Sequence, residues 1–270
     1  MCIRDRGGGF TNYGTATLTN CTISGNTAGA GGGINNAAGN SLQLVHCTIS
    51  GNTAMTAGGL IDGGSGLLQN TIVAQNTAGQ YAEILGNVSS SSSFNLIGAG
   101  SSGGLINGAN GNIVGVANPG LSALGNFGGP VQTVALLPGS PAIDAGNGDA
   151  FMATDARGKL RGILPDIGAF ESQGFLLTSV SGNNQSAYAN QPFPVSLVVS
   201  VTANNPVEPV DGGTVAFAPP SSGASATISA NPAAIAGGFA SAQAPANRAE
   251  YEREQADAQR RAAERLERDA

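Results

Sequence analysis

Short runs of alternating apolar and polar residues recur along the first half of the chain. Residues 16–19 and 42–44 alternate with a period of two, which is typical of strands and not of helices. Residues 22–28 recur unchanged as residues 48–54. A third, diverged copy spans residues 71–78, and its pattern indicates one inserted residue. The chain is therefore built from repeats that contain strands.

A second marker precedes each copy, and it reads Gly-Gly-apolar. It occurs as Gly8-Gly9-Phe10, Gly32-Gly33-Ile34 and Gly58-Gly59-Leu60. The spacing of the markers and copies, 23–26 residues, accommodates two or three short strands whose tight turns use Gly and Asn at positive φ. A unit of this size cannot bury its apolar side chains alone, so copies must stack at the strand spacing of about 4.8 Å. The pattern predicts a parallel β-helix.

Stacking predicts inward columns of apolar side chains. We expect one column of Leu18, Leu44 and Leu67 and another of Ile23, Ile49 and Ile72. A leucine-rich-repeat solenoid is the alternative, because its units have a similar length. That motif needs several Leu at fixed spacing and a helical return, which the Gly-rich returns disfavour.

Cys21 and Cys47 occupy equivalent positions in adjacent repeats. A redox pair is one interpretation. We favour a column of small apolar side chains, because free Cys packs as one and parallel neighbours direct their Cβ atoms poorly for a disulfide. Cys2 lies outside the repeat.

Polar residues recur at equivalent positions as well. His46 aligns with Asn20 and Gln69, which indicates a polar corner and not a catalytic base. Asp62 aligns with Asn12 and Asn36 and is typical of a turn, where Asp and Asn interchange. Glu83 is the other acid of the repeats. No pair of carboxyl groups for glycoside hydrolysis can be identified in these repeats.

Composition narrows the class of protein. Of 270 residues 42 are Gly, without the Gly-X-Y period of collagen. Hydrophobic residues make up 41% of the chain, which suffices for a core, and charged residues make up 10%. The net charge of −6 argues against nucleic-acid binding, which needs clustered Lys and Arg. No apolar run approaches the roughly 20 residues of a membrane helix.

Apolar residues return in bursts at residues 95–98, 112–115 and 131–134, which we interpret as further, less regular rungs. A more specific stretch follows. It contains Gly-Ser-Pro-Ala-Ile-Asp-Ala-Gly at residues 139–146, Thr-Asp-Ala-Arg-Gly at residues 154–158 and Asp-Ile-Gly-Ala-Phe-Glu at residues 166–171.

These motifs closely resemble the choice-of-anchor Q domain of bacterial surface proteins, and the upstream repeats resemble those of polymorphic outer-membrane proteins. The resemblance covers residues 7–171. It implies a right-handed parallel β-helix and a secreted, surface-displayed scaffold, and it implies no known active site.

Three cations, Arg157, Lys159 and Arg161, are the only basic residues between residues 7 and 247. They lie in sequence among Asp144, Asp155, Asp166 and Glu171. Because a β-helix end exposes unpaired backbone groups and Arg pairs with carboxylates and carbonyls, we expect this cluster to lock the last rung. The alternative is a calcium loop of Asp144, Asn147 and Asp149, although its spacing matches no EF-hand.

A different pattern begins after residue 174. Strand-like runs at residues 195–202, 213–218 and 224–229 suggest an antiparallel sandwich. Val180-Ser181-Gly182-Asn183-Asn184-Gln185 and Gly213-Thr214-Val215-Ala216-Phe217 resemble bacterial Ig-like repeats, which act as spacers or adhesive stalks. The resemblance ends near residue 247 before the family's final strand, so we expect a truncated domain.

Both ends of the chain differ from its body. Residues 248–270 carry 13 charges and predict a solvated helix with i, i+4 pairs. Residues 1–6 resemble translated adapter sequence, and we expect them to be a non-native head on a gene fragment. The expected domains are thus residues 1–6, 7–174, 175–247 and 248–270.

The sequence predicts an all-β protein with a parallel β-helix, an incomplete Ig-like sandwich and a short charged helix. We expect an extracellular or cell-surface, adhesin-like scaffold without catalytic, cofactor-binding or metal-binding residues. Its partner would be a surface glycan or matrix, with no nucleic acid, no membrane span and a monomeric state. The alternative is a polysaccharide lyase or hydrolase whose catalytic rungs are missing from this fragment.

Overall fold

The computed structural model describes residues 8–148, 152–185, 191–219, 228–244 and 260–261. The predicted head, and all of the predicted C-terminal helix except Arg260 and Arg261, lie outside these ranges. Close contacts divide the chain into two units, residues 1–174 with 204–209, and residues 175–203 with 210–270. Within the described ranges the fold is almost wholly β. It includes a 3₁₀ turn at Ala109–Gly111, and Arg260 and Arg261 are helical.

The first unit contains a β-solenoid of about four turns, and each complete turn has four strands. The first turn holds β1 (Phe10–Asn12), β2 (Thr15–Thr19), β3 (Thr22–Ser24) and β4 (Thr27–Ala30). The second holds β5 (Ile34–Asn36), β6 (Ser41–Val45), β7 (Thr48–Ser50) and β8 (Thr53–Thr56). The third holds β9 (Leu60–Asp62), β10 (Ser65–Gln69), β11 (Ile72–Ala74) and β12 (Thr77–Gln80), and β13 (Ile84–Gly86), β14 (Leu96–Gly98) and β15 (Ile113–Val116) follow.

Equivalent strands of successive turns pair in parallel and form four sheets. The predicted parallel β-helix is thereby confirmed. The leucine-rich-repeat alternative is wrong, because the chain returns through strands in each described turn. The sheets have the strand orders β1-β5-β9-β13, β2-β6-β10, β3-β7-β11-β14-β15 and β4-β8-β12.

The register corrects the third repeat. Val73 lies opposite Ile49, and Ile72 lies opposite Thr48, so Ile72 is not in the Ile23 column and no residue is inserted. Leu68, not Leu67, lies opposite Leu44. The repeats differ in length instead at the corner between β5 and β6, where residues 37–40 take the place of the two-residue corners of the neighbouring turns.

The interior of the solenoid is a continuous apolar core. Its fully enclosed side chains include Ile34, Leu44, Ile49, Leu60, Leu68, Val73 and Ile97. Because side chains alternate across a strand, the residues between them face outward. Interior packing of this kind supplies the apolar burial that a single repeat lacks.

A second layer covers the outer face of the third sheet. It includes β16 (Leu121–Gly125) and β17 (Thr133–Leu136), which pair antiparallel. The prediction of a rung at residues 131–134 is therefore wrong. The rungs predicted at residues 95–98 and 112–115 are present as β14 and β15. Side chains of the layer form a second core with Ile72, Ala74 and Leu96. The third sheet is thus apolar on both faces, which explains why Ile72 points outward.

The second unit is antiparallel in the residues that the structure describes. It contains β18 (Phe175–Ser181), β19 (Leu197–Ala203), β20 (Thr214–Val215), β21 (Ala233–Ala234) and β22 (Phe239–Ala242). Strands β18, β19 and β22 form one sheet, and β20 and β21 form a pair. A small core includes Val201, Val215 and Ile235. The strand predicted at residues 224–229 lies mostly outside the described ranges.

Candidate functional site

Two columns of Asn side chains run through the solenoid, and we call them the Asn ladders. In the first, Asn12 Nδ2 donates to Asn36 Oδ1 at 2.8 Å, and Asn36 Nδ2 donates to Asp62 Oδ1 at 2.6 Å. The alignment of Asp62 with Asn12 and Asn36 is confirmed. The ladder ends at Asp62, because an ionised carboxylate accepts hydrogen bonds but has no donor to pass on to a further residue.

The second ladder follows the same rule. Asn26 Nδ2 donates to Asn52 Oδ1 at 2.9 Å, and Asn52 Nδ2 donates to Asn76 Oδ1 at 3.0 Å. Asn76 Nδ2 then donates to Glu83 Oε2 at 2.7 Å. In each bond between two ladder side chains, the Nδ2 of the earlier residue donates to the oxygen of the later one, so both ladders run in one direction and stop at an acid.

The two terminal acids are buried. Asp62 is 4% exposed and Glu83 is 2% exposed. The second oxygen of Asp62 accepts the Gly66 backbone N–H at 2.8 Å. Burial raises the pKa of Glu83 to about 7, against the hydrogen bonds from Asn76 that lower it. Both carboxyl groups therefore act as structural acceptors. Sequence analysis predicted that Asp and Asn interchange at the Asp62 position, but it predicted no role for Glu83.

A pH dependence follows from Glu83. Because the native state holds its proton more tightly than the unfolded chain does, the stability contributed by this group falls as the pH rises from about 4 to 7. We expect the unfolding free energy of the wild type to fall, relative to that of Glu83→Gln, across this interval. Urea denaturation at several pH values tests this. A difference between the two proteins that does not change with pH contradicts it.

Arg157 is the centre of a buried ionic cluster. Its Nε donates to Asp155 Oδ2 at 2.8 Å, and its Nη1 donates to Glu208 Oε1 at 3.0 Å. Its Nη2 donates to the Glu171 carbonyl oxygen. The guanidinium lies 3.6 Å from the centre of the Phe170 ring. All three charged side chains are fully enclosed, and sequence analysis missed Glu208 because it is distant in sequence from the motif.

Arg161 forms the second part of the cluster. Its Nη1 donates to Glu171 Oε2 at 3.1 Å, and Glu171 also accepts the backbone N–H groups of Gly162 and Asp166. Burial, together with the nearby charge of Glu171, raises the pKa of Asp166 to about 7. The cluster is a buried hydrogen-bond network in which Arg161 Nε alone, among the cluster atoms that the structure describes, is without a partner.

The cluster does not lie on the last rung, and that expectation is wrong. Its segment packs along the side of the solenoid, on the corner between the second and third sheets. Arg161 Nη2 donates to Asn20 Oδ1 at 3.0 Å. The Ala169 N–H donates to Thr48 Oγ1 at 3.0 Å. Asn70 holds both backbone groups of Asn147, at 2.9 Å each. The segment therefore joins the first three turns together.

His46 lies at this corner with Asn20 and Asn70, and all three residues have positive φ. Asn70, not Gln69, is its partner in the third turn, since Asn70 Nδ2 lies 3.0 Å from His46 Nε2. Burial lowers the pKa of His46 to about 4, and the charge of Arg161 contributes. A buried, neutral ring in this position is a corner residue, as its sequence alignment indicated.

A cavity of about 300 Å³ adjoins this corner. It is lined in part by His46, Met152, Arg161 and Pro165. Within the described ranges, His46 Nδ1 and Arg161 Nε have no hydrogen-bond partner. Both atoms are buried, so neither presents a group to solvent.

Cys21 and Cys47 are free thiols in adjacent turns. Cys47 lies in the apolar core and Cys21 packs against it. Hydrogen bonding between the two lowers the pKa of the Cys21 thiol and raises that of Cys47. The next position in the column is Thr71, whose Oγ1 accepts the Cys47 N–H at 3.3 Å.

The structure does not show Asp144, Asn147 and Asp149 together as a set of calcium ligands. Asp144 is exposed, the Asn147 backbone is bound to Asn70, and Asp149 lies outside the described ranges. Among the residues that the structure describes, no group of three or more His, Cys, Asp or Glu side chains could hold a metal ion. No helix in the described ranges combines the length and apolar character that a membrane crossing requires.

The outer surface of the turns is uncharged. Asp62 and Glu83 are the only charged residues between residues 8 and 143, and both are buried. Exposed hydroxyl groups are aligned on two sheets instead. They form one column of Thr15, Ser41 and Ser65 and another of Thr27, Thr53 and Thr77. Tyr13 is 78% exposed at the corner that precedes β2.

No family model, no curated protein and no solved structure matches this chain.

Proposed function

We propose that the chain is a non-catalytic, extracellular or cell-surface scaffold that contacts neutral glycans or matrix through the outer faces of its solenoid. The observation that supports this is the uncharged exterior with its two hydroxyl columns. An uncharged face offers no attraction to phosphate or to acidic polymers. Aligned hydroxyl groups both donate and accept hydrogen bonds, which suits a polymer of neutral sugars.

The spacing of these groups supports the same proposal. Equivalent side chains on successive turns repeat at about 4.8 Å, so a column presents a regular row of donors and acceptors. A repeating ligand can contact several turns at once, and weak contacts then add together. The exposed Tyr13 ring adds an amphipathic surface beside the column of Thr15.

The proposal includes two family assignments, a choice-of-anchor Q domain in the first unit and an Ig-like domain in the second. The motifs at residues 139–146, 154–158 and 166–171 supply the buried cluster that joins three turns, which supports a choice-of-anchor Q domain as a structural module. The antiparallel strands of the second unit support an Ig-like spacer. A surface location follows from these assignments.

Binding to a panel of neutral and acidic polysaccharides tests the proposal. We expect neutral polymers to bind and acidic ones not to. The triple variant Thr27→Val, Thr53→Val and Thr77→Val removes one column of hydroxyl groups with little change in volume, and Thr15→Val, Ser41→Ala and Ser65→Ala remove the other. Loss of binding in one of the two variants locates the face. Binding of acidic polymers alone, or no binding, contradicts the proposal.

A polysaccharide lyase or hydrolase is the alternative function. Asp62 does not support a catalytic role, because both of its carboxylate oxygens accept hydrogen bonds inside the solenoid. Turnover of a polymer in the same panel that is abolished by Asp62→Asn favours the enzyme over the scaffold.

A further inference from the structure

Residues 204–209 belong to the first unit by their contacts, although the chain on both sides of them belongs to the second unit. Strand β19 ends at Ala203 and β20 begins at Thr214, so this segment lies within the sequence of the second unit. We call residues 204–209 the strap. The chain therefore passes between the two units three times, at residues 174–175 and at both ends of the strap.

The strap contains a tight turn that its own sequence favours. It reads Asn-Asn-Pro-Val-Glu-Pro, and Pro suits the second position of a β-turn because its φ is already restricted. The Glu208 N–H donates to the Asn205 carbonyl oxygen at 2.9 Å, which closes the turn. Asn205 Nδ2 also donates to Glu208 Oε1 at 3.2 Å. The turn therefore orients the Glu208 carboxylate.

The first unit binds this carboxylate through two donors. Arg157 Nη1 donates to Glu208 Oε1 at 3.0 Å, and the Gln173 N–H donates to Glu208 Oε2 at 3.0 Å. The side chains of Arg157 and Glu208 are fully enclosed. The other side-chain bonds of Arg157 go to residues that precede the second unit in the sequence. Glu208 is thus the partner that reaches the buried cluster from within the sequence of the second unit.

Pairing of β18 with β19 brings the strap to this position. Phe175 lies opposite Ala203 at the end of the pair. The residues next to them therefore meet, and the Asn204 N–H donates to the Gly174 carbonyl oxygen at 3.0 Å. Without this pairing, residues 175–203 would form a long flexible loop, and docking of the strap would have to overcome the entropy of closing that loop.

The dependence acts in both directions. A docked strap holds residue 204 beside residue 174, which keeps the two ends of the β18–β19 pair together. Pairing that favours docking is itself favoured by docking to the same extent, because the coupling free energy between two equilibria is reciprocal. The bond between Glu208 and Arg157 therefore contributes to the stability of both units.

We propose that the strap is a conformational device that couples the folding of the second unit to the buried ionic cluster of the first. Folding of the second unit places Glu208 on Arg157. Unfolding of the second unit withdraws Glu208, and the enclosed guanidinium then loses one of its two carboxylate partners. The segment that joins the first three turns is loosened as a result. The second unit is therefore not an independent spacer.

Amide hydrogen exchange of the intact chain, measured by mass spectrometry of its peptides, tests this coupling. The Arg157 and Lys159 N–H groups both donate to Asp155 Oδ1, so exchange in residues 154–162 reports opening of the cluster. Ile235→Ala destabilises the second unit, because Ile235 is buried in its core and the truncation leaves a cavity. We expect this variant to speed exchange in the second unit and, through release of the strap, in residues 154–162 by about tenfold.

Glu208→Ala removes the coupling itself. We expect it to speed exchange in residues 154–162 by about tenfold, and Ile235→Ala added to it should then affect the second unit alone. Val207→Ala is the matched control, because Val207 lies in the same turn and is 49% exposed. Its substitution should change exchange in residues 154–162 by less than about threefold.

Two results would overturn the proposal. One is an unchanged exchange rate of residues 154–162 in Ile235→Ala, which would show that the units open independently. The other is an equal response of these residues to Ile235→Ala with and without the Glu208 carboxylate, which would show that the coupling bypasses the strap. Glu208→Gln keeps the size of the side chain and serves as the second variant if Glu208→Ala does not fold. It should show the same loss of coupling to a smaller extent.

Discussion

Arg157→Ala is expected to lower the unfolding free energy of the first unit by about 3–5 kcal/mol, the usual cost of breaking a buried ion pair. The substitution leaves the carboxylates of Asp155 and Glu208 enclosed without their cation. It also removes the donor to the Glu171 carbonyl and the cation stacked on Phe170. Each of these groups has lost its water on folding, so the loss is not compensated.

Urea denaturation followed by the β-sheet circular dichroism signal measures this effect. Lys159→Ala is the matched control, because Lys159 is a neighbouring cation without a side-chain ion pair among the described residues. We expect it to change the unfolding free energy by no more than about 0.5 kcal/mol. Equal effects of the two substitutions would show that the cluster does not stabilise the solenoid. Arg157→Lys should be intermediate, since Lys cannot reproduce the planar contacts.

Asn52→Ala is expected to lower the unfolding free energy by about 3 kcal/mol, since each buried group left unsatisfied costs about 1–3 kcal/mol. Asn52 is fully buried. Its amide accepts from the Asn26 N–H and donates to the Ile23 carbonyl at 2.9 Å and to Asn76. Alanine replaces none of these bonds and leaves a cavity between turns.

The matched control is the equivalent residue of the first turn. Asn26→Ala removes one donor to Asn52, but Asn26 is half-buried, and Asn52 Oδ1 still accepts the backbone N–H of residue 26. We expect a loss of about 1 kcal/mol. A larger loss for Asn26→Ala than for Asn52→Ala would contradict a ladder whose strength depends on burial.

The Asn ladders also specify the register of the turns. A shift of one residue would move Asn52 from Asn76 and place Gly51 or Thr53 opposite Asn26, which removes the hydrogen bonds between the Asn side chains. Such a shift would also turn Leu44 and Ile49 away from the core. The ladders and the apolar columns therefore favour the same alignment of the turns.

The sequence by itself determined the class of fold. The period of two, the identical residues 22–28 and 48–54 and the Gly-Gly markers are local features, and they suffice to predict stacked parallel strands. The alignment of Asp62 with Asn12 and Asn36 and that of Cys21 with Cys47 were predicted for the same reason. Repeats place equivalent residues in one column whatever the rest of the chain does.

Only the tertiary structure decided which side chains of the third turn point into the solenoid core and which point outward. Ile72 and Val73 are both apolar, so the pattern does not show which one points inward. The second layer buries Ile72 on the outer face. Because that layer comes from residues far from Ile72 in the sequence, the local pattern does not predict it. The choice of Leu68 over Leu67 depends likewise on the short corner before β10.

The position of the ionic cluster was also decided by the tertiary structure. Its motifs are local and were identified, but their docking surface consists of Asn20, Thr48 and Asn70, about 75–140 residues earlier in the chain. Glu208 joins from the other direction in sequence. Local patterns set which residues form strands and columns, whereas burial of an outer face and pairing of distant charges depend on which segments meet after the chain has folded.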